Sequence, residues 1–151
     1  MAQKTFALSV TSHRAAVQSE VDRAIARALE TCGGKAETYA KKGCPVDTGY
    51  LRNSITHGQA GGKTSIETFS SDSAGKTGRK PIRTGSYAGT IPSTDTPTEI
   101  IATNVEYAPY QEFGRHTTSG KYIGGKAFME KAMSEHISEY KAVFENELKK
   151  I

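Results

Sequence analysis

A chain of 151 residues suits one domain, and with 36% hydrophobic and 8% aromatic residues and no Trp its core is lean enough to leave some segments without core residues. Twenty Lys and Arg against 16 Asp and Glu give a net charge of +4, an excess too small and too dispersed to make nucleic-acid binding the main task. Cys32 and Cys44 have no companion Cys or clustered His, which argues against a zinc site or a disulfide scaffold, and no apolar run nears the about 20 residues of a membrane span.

The opening stretch MAQKTFALSV lacks the basic start and long apolar run of a secretory leader, so the chain reads as soluble and cytosolic with reduced thiols. Within it, residues 4 to 10 alternate, Phe6, Leu8 and Val10 on one side, and predict a first strand. Ser12 is placed to cap a long helix, in which Val17, Val21, Ile25, Ala28, Cys32, Ala36 and Tyr39 recur at steps of three and four. Gly33 and Gly34 interrupt the propensity but not the apolar phase, so a kink or a loosened turn rather than an end is expected there; Gly43, Cys44 and Pro45 end the helix.

Gly49 to His57 and Lys63 to Ser70 are read as short strands, and Thr98 to Asn104 as a clearer one. Between them, residues 71 to 97 are rich in Ser, Thr, Gly, Pro and basic side chains and are expected to form a long flexible loop. Tyr107 to Phe113 predicts a short helical turn with Pro109 near its start, Gly114 to Gly125 a loop, and Lys126 to Lys150 a closing helix with Met129, Met133, Ile137, Tyr140, Phe144 and Leu148 on one stripe. The order predicts an α+β fold, a small antiparallel sheet packed against the long N-terminal helix and the C-terminal helix, in a single domain over 1–151.

Catalytic chemistry is hard to assemble from these residues. Gly58 to Thr64 resembles a phosphate loop but is one residue short, and a strand follows it where a helix N-terminus would have to face the phosphates. His13, His57, His116 and His136 lie far apart without ligand spacing, Cys44 precedes a Pro at a helix end and Cys32 lies on the apolar stripe. Asp47, Glu106 and Glu112 each adjoin a turn and an aromatic, yet nothing in the sequence brings them together; Asp47 is read as an Asx-turn or cap within Pro45 to Gly49, where Gly49 supplies a positive φ. No metal, cofactor or catalytic residue is expected.

Two groups remain as candidates for contact. The basic loop Lys76, Arg79, Lys80 and Arg83 can be a solvated segment, a docking arm ordered on assembly, or a non-specific contact with DNA phosphates. Tyr107, Tyr110 and Phe113, at steps of three, put aromatics on one face of a short helix, either as core or as an intersubunit anchor, with Glu112 and Arg115 as rim contacts and Arg52 projecting to a polar partner.

The runs Cys44-Pro45-Val46-Asp47-Thr48-Gly49-Tyr50-Leu51-Arg52-Asn53-Ser54-Ile55 and Val105-Glu106-Tyr107-Ala108-Pro109-Tyr110-Gln111-Glu112-Phe113-Gly114 together resemble the signature of minor tail-component, or tail-completion (neck), proteins of long-tailed double-stranded DNA phages and prophages. A third stretch, Lys126 to Met133, resembles the start of that family's last helix, with Ala127 and Lys131 where the family shows prolines. The resemblance implies a small α+β fold without catalysis. It further implies a homo-oligomeric ring, a hexamer by tail symmetry, in the virion neck between head connector and tail tube. Partners would be a head-completion protein and a tail terminator or tube, with assembly in the host cytoplasm. Terminating the tail, or binding DNA through the basic loop, are the rival roles.

Overall fold

A computed structural model of the protein describes residues 9–151. The strand expected over residues 4 to 10 lies outside the described residues except for Ser9 and Val10, which are exposed and not in a strand. The long helix is present as α1 (Arg14–Gly43), 30 residues in one piece. Its N-cap is His13 rather than Ser12, whose Oγ accepts only a long 3.4 Å hydrogen bond from the Arg14 N–H. At the other end Cys44 turns extended (φ −69°, ψ 133°), Pro45 has no N–H to continue the ladder, and Lys41 and Lys42 in the last turn complement the helix dipole.

The buried face of α1 is a line of small residues, Ala24, Ala28, Gly33, Ala36 and Ala40, and not the bulkier stripe the periodicity favours; Val17 is 54% exposed. Small side chains let neighbouring elements approach closely. The helix continues through Gly33 and Gly34 without ending, and Gly33 serves a close approach: a Cβ there would collide with the Glu99 carboxylate lying across it.

Gly49 to His57 is not one strand. Gly49 sits at φ 80° and caps a short helix, α2 (Tyr50–Ser54), followed by β1 (Thr56–Gln59). The helical turn places Leu51, Ser54 and Ile55 on one buried face at i, i+3 and i+4, which a strand could not do. A Cβ on Gly49 would strike Asp72, so both the left-handed backbone and the space require glycine.

β1 pairs antiparallel with β4 (Glu99–Ala102), from Thr56 opposite Ala102 to Gln59 opposite Glu99. Of the stretch Lys63 to Ser70 only β2 (Thr68–Ser70) is a strand, and it pairs with β3 (Thr84–Ser86) inside the 71–97 segment, where no strand was expected. After α3 (Ala108–Phe113), which carries Pro109 in its first turn as expected, the predicted loop 114–125 contains a ribbon of β5 (Gly114–His116) and β6 (Tyr122–Gly124). The sheet is thus three antiparallel pairs rather than one layer, in an α+β fold.

The closing helix divides into α4 (Phe128–Ser134) and α5 (Ile137–Leu148). Two tertiary contacts favour the break at Glu135 and His136. The Tyr140 hydroxyl donates 2.5 Å to the Ala132 carbonyl, which an unbroken helix would offer to His136, and the His136 ring stacks on Tyr39 at a centroid distance of 3.5 Å. The core lies where the lower half of α1 meets α2, α3 and α4: Ala40, Cys44, Leu51, Ile55, Phe69, Val105, Ala108, Phe128 and Ala132. No helix among the described residues is long and apolar enough to cross a membrane.

Candidate functional site

The two signature runs, far apart in sequence, meet at one concavity. The tight exit from α1 puts Pro45, Val46 and Asp47 on its wall, α2 supplies Tyr50 and Leu51, and α3 with its N-cap supplies Gln111 and Tyr107. The segment after β2 folds over it and contributes Lys76, Lys80 and Arg83, and β5 adds Arg115. The cavity has a volume of about 690 Å³.

Its electrostatics follow from these placements. Four cations, Lys76, Lys80, Arg83 and Arg115, share the lining with one carboxylate, Asp47. Asp47 is not the local Asx-turn expected of it: it pairs with Lys80, and its Oδ1 accepts the Lys76 N–H at 2.9 Å. Those two bonds hold its carboxyl below the usual carboxylate range and fasten the 76–80 segment to the end of α1. Arg83 lies 4.5 Å from the Tyr50 ring centroid and 3.8 Å from Glu106. Lys76 Nζ and the Arg115 guanidinium make no ion pair among the described residues. The floor is apolar, with Leu51 and Tyr50 buried and Tyr107 half-buried against the core.

Several anticipated residues lie elsewhere. Arg52 does project to a polar partner, Asp72, which also accepts from Asn53 Nδ2 at 2.8 Å, so this pair ties α2 to the segment after β2. Arg79 is exposed and does not line the cavity. The three aromatics are not equivalent: Tyr107 packs on the core, whereas Tyr110 is 55% and Phe113 72% exposed. Glu112, expected at a rim, is buried inside the subunit, where its Oε2 and Oε1 accept the N–H groups of Met129 and Glu130 at 3.0 and 2.9 Å and so cap α4 from α3. The entry to α4 differs from the prolines of the resembling family in a definite way: Ala127 adopts φ 50°, ψ 42°, which proline cannot.

One cluster escaped the sequence reading entirely. Between α1 and the β1–β4 ribbon, His57 Nδ1 lies 2.5 Å from Glu37 Oε2, with Glu99 Oε1 4.0 Å from Nε2 and Ser65 Oγ donating 2.7 Å to Glu37. Burial pushes the Glu37 carboxyl up, but hydrogen bonds from Lys41, His57 and Ser65 outweigh it and hold it low; burial pushes Glu99 up, and both its oxygens lack a hydrogen-bond partner. These groups lock the ribbon onto α1, and none of them lines the cavity. Only the alternation of β1 against the buried face of α1 could have hinted that His57 faces the helix. The cysteines are poor nucleophiles: burial pushes the Cys44 thiol up to about 11 and raises that of Cys32.

Residues 13–114, from the start of α1 to the end of α3, match the family described as "Bacteriophage HK97-gp10, putative tail-component". The match spans both signature runs and the loop between them, ends at the first residue of β5 and leaves out the rest of the β5–β6 ribbon, α4 and α5. No curated protein and no solved structure matches the chain.

Proposed function

We propose that this chain, which belongs to the HK97 gp10-like family of phage tail components, is a non-enzymatic structural subunit of the virion neck that closes into a ring of copies, completes the tail and joins it to the head. Tail symmetry suggests six copies. The observation that carries the reading is the exposure of Tyr110 and Phe113 on α3, 55% and 72%, at the end of a run whose neighbours Val105, Ala108 and Glu112 are buried. Large exposed aromatics beside a well-packed scaffold suit interface anchors, because they bury much area at little entropic cost.

The docking-arm reading of the basic loop is favoured over a DNA contact because two of its four cations are engaged within the subunit, Lys80 with Asp47 and Arg83 with Glu106 and Tyr50. Phage particles made without this chain test the role. Full heads separate from finished tails are the expected outcome; overlong tails would assign it to tail termination, and normally joined particles would remove the reading. In solution, the wild-type chain, alone or with its neck partners, is expected to sediment as a ring, and the double variant Tyr110→Ser, Phe113→Ser to remain a folded monomer.

A further inference from the structure

We propose that the cavity between α2, the segment 76–83 and β5 is a receptor for an acidic segment of a neighbouring tail protein, its carboxylates held by Lys76 and Arg115 and an adjoining apolar side chain seated on the Leu51–Tyr107 floor. The inference rests on the reading of the chain as a tail component for the identity of the partner, but the chemistry of the cavity stands by itself.

Three observations point the same way. First, the lining is unbalanced, four cations to one carboxylate, and that carboxylate is already consumed by Lys80 and the Lys76 N–H. Second, Lys76 and Arg115 line the cavity from two different elements, the 76–83 segment and β5, and neither side chain has an anionic partner among the described residues. An acidic segment seated in the cavity would meet cations from both elements, and charge complementarity of that kind selects partner and register. Third, the floor is apolar, so a carboxylate alone leaves it uncovered, whereas a peptide with an aromatic or aliphatic residue beside its acids fills both parts.

A volume of about 690 Å³ admits a few side chains. A duplex backbone, whose phosphates lie on a broad convex rod, suits an outward cation such as Arg79 better than Lys76 and Arg115, which line a concavity. The Leu51–Tyr107 floor also has no counterpart in a phosphate backbone, whereas it can seat an apolar side chain of a peptide. Acidic protein is therefore the occupant the site favours over nucleic acid.

The test is fluorescence anisotropy of the full chain with a labelled Glu-Glu-Phe-Glu-Glu peptide, alongside a labelled DNA duplex of random sequence. Lys76→Glu and Arg115→Glu are each expected to weaken peptide binding by about tenfold, as reversing a rim charge in a small charged site does, while Arg79→Glu changes it by less than about twofold. Lys76→Gln and Arg115→Gln give smaller losses in the same order and guard against misfolding of the charge reversals. Absence of saturable peptide binding overturns the proposal. Equal losses from Arg79→Glu and Arg115→Glu overturn it too, since they would report only net charge. Tighter duplex binding, with Arg79→Glu the most damaging change, would overturn it in favour of nucleic acid. Because the peptide titration needs no particle, its failure is distinguishable from failure of the tail role, which is read from particles made without the chain.

Discussion

α4 and α5 were expected to be one helix, both dock on α1, and they do so by different physics. α4 is held by two buried side chains, Phe128 and Ala132, and by Glu112 capping its first amides. α5 has no fully buried residue, with Tyr140, Val143 and Phe144 half-buried, and Arg27 to Glu147, Lys35 to Glu139 and the Tyr39 hydroxyl to Glu139 fasten it to α1 between Arg27 and Tyr39. Apolar burial is insensitive to pH and salt, whereas exposed ion pairs are weak and screened. One member of the C-terminal pair therefore rests on fully buried side chains and the other on polar contacts and half-buried ones.

The largest expected effect comes from breaking the apolar dock. Phe128 is 2% exposed at the centre of the cluster, and Phe128→Ala should cost ~3–5 kcal/mol in urea unfolding through lost burial and a residual cavity. A loss below ~1 kcal/mol would mean α4 is not the core element described. Next is the cap: Glu112→Ala leaves the amides of Met129 and Glu130 without their acceptors and should cost ~1–2 kcal/mol by the same measurement, with full-length binding surfaces otherwise unchanged. Ala127→Gly should do the reverse, gaining up to ~1 kcal/mol by relieving the left-handed backbone at α4's entry, while Ala127→Pro should destabilise.

Glu99 is pressed over Gly33 of α1. Its folded-state pKa is raised by burial, so the stability it contributes is present below its unfolded pKa and lost as pH rises through the folded one. Glu99→Gln should therefore be more stable than wild type at neutral pH, an advantage that disappears on acidification; a pH-independent difference in melting temperature would refute this assignment.

The smallest effect belongs to α5. Hydrogen bonds from Lys35 and then Tyr39 hold Glu139 below the usual carboxylate range, so its contribution is present above the unfolded pKa and lost as pH falls through the folded one. Glu139→Gln should barely move the global melting temperature, yet hydrogen exchange should show α5 amides losing protection while those of α4 keep theirs. Acid or high salt should produce the same ordering in the wild type, and simultaneous loss in both helices would erase the distinction.

How much of this was legible in the residues varies with the range of the interaction involved. The 30-residue extent of α1, the strand at 99–102, the Pro109-started α3 and the positive φ of Gly49 could all be read. Each depends on bonds within a few positions, or on a residue that permits only one backbone geometry. The β5–β6 ribbon was missed because its strands are three residues each and exposed, without an apolar period to announce them. α2 was mistaken for a strand because Leu51 and Ile55 share a side in either conformation. Of the candidate contact residues, Pro45, Asp47, Gly49, Lys76, Lys80, Arg83, Tyr107 and Arg115 converge on one cavity, whereas Arg52, Arg79, Tyr110, Glu112 and Phe113 do not.

Taken alone, the chain's sequence determined where α1 must stop, which position had to be glycine at the mouth of α2, and which family the two signature runs belong to. Only the tertiary structure decided which line of α1 is buried, that Glu112 points inward to cap a later helix, that the C-terminal helix breaks at His136, and that four cations gather around one apolar floor. Local hydrogen bonding and allowed φ and ψ act over a turn or two, but burial and charge pairing depend on side chains brought from distant positions, and those distances are closed only when the chain has folded.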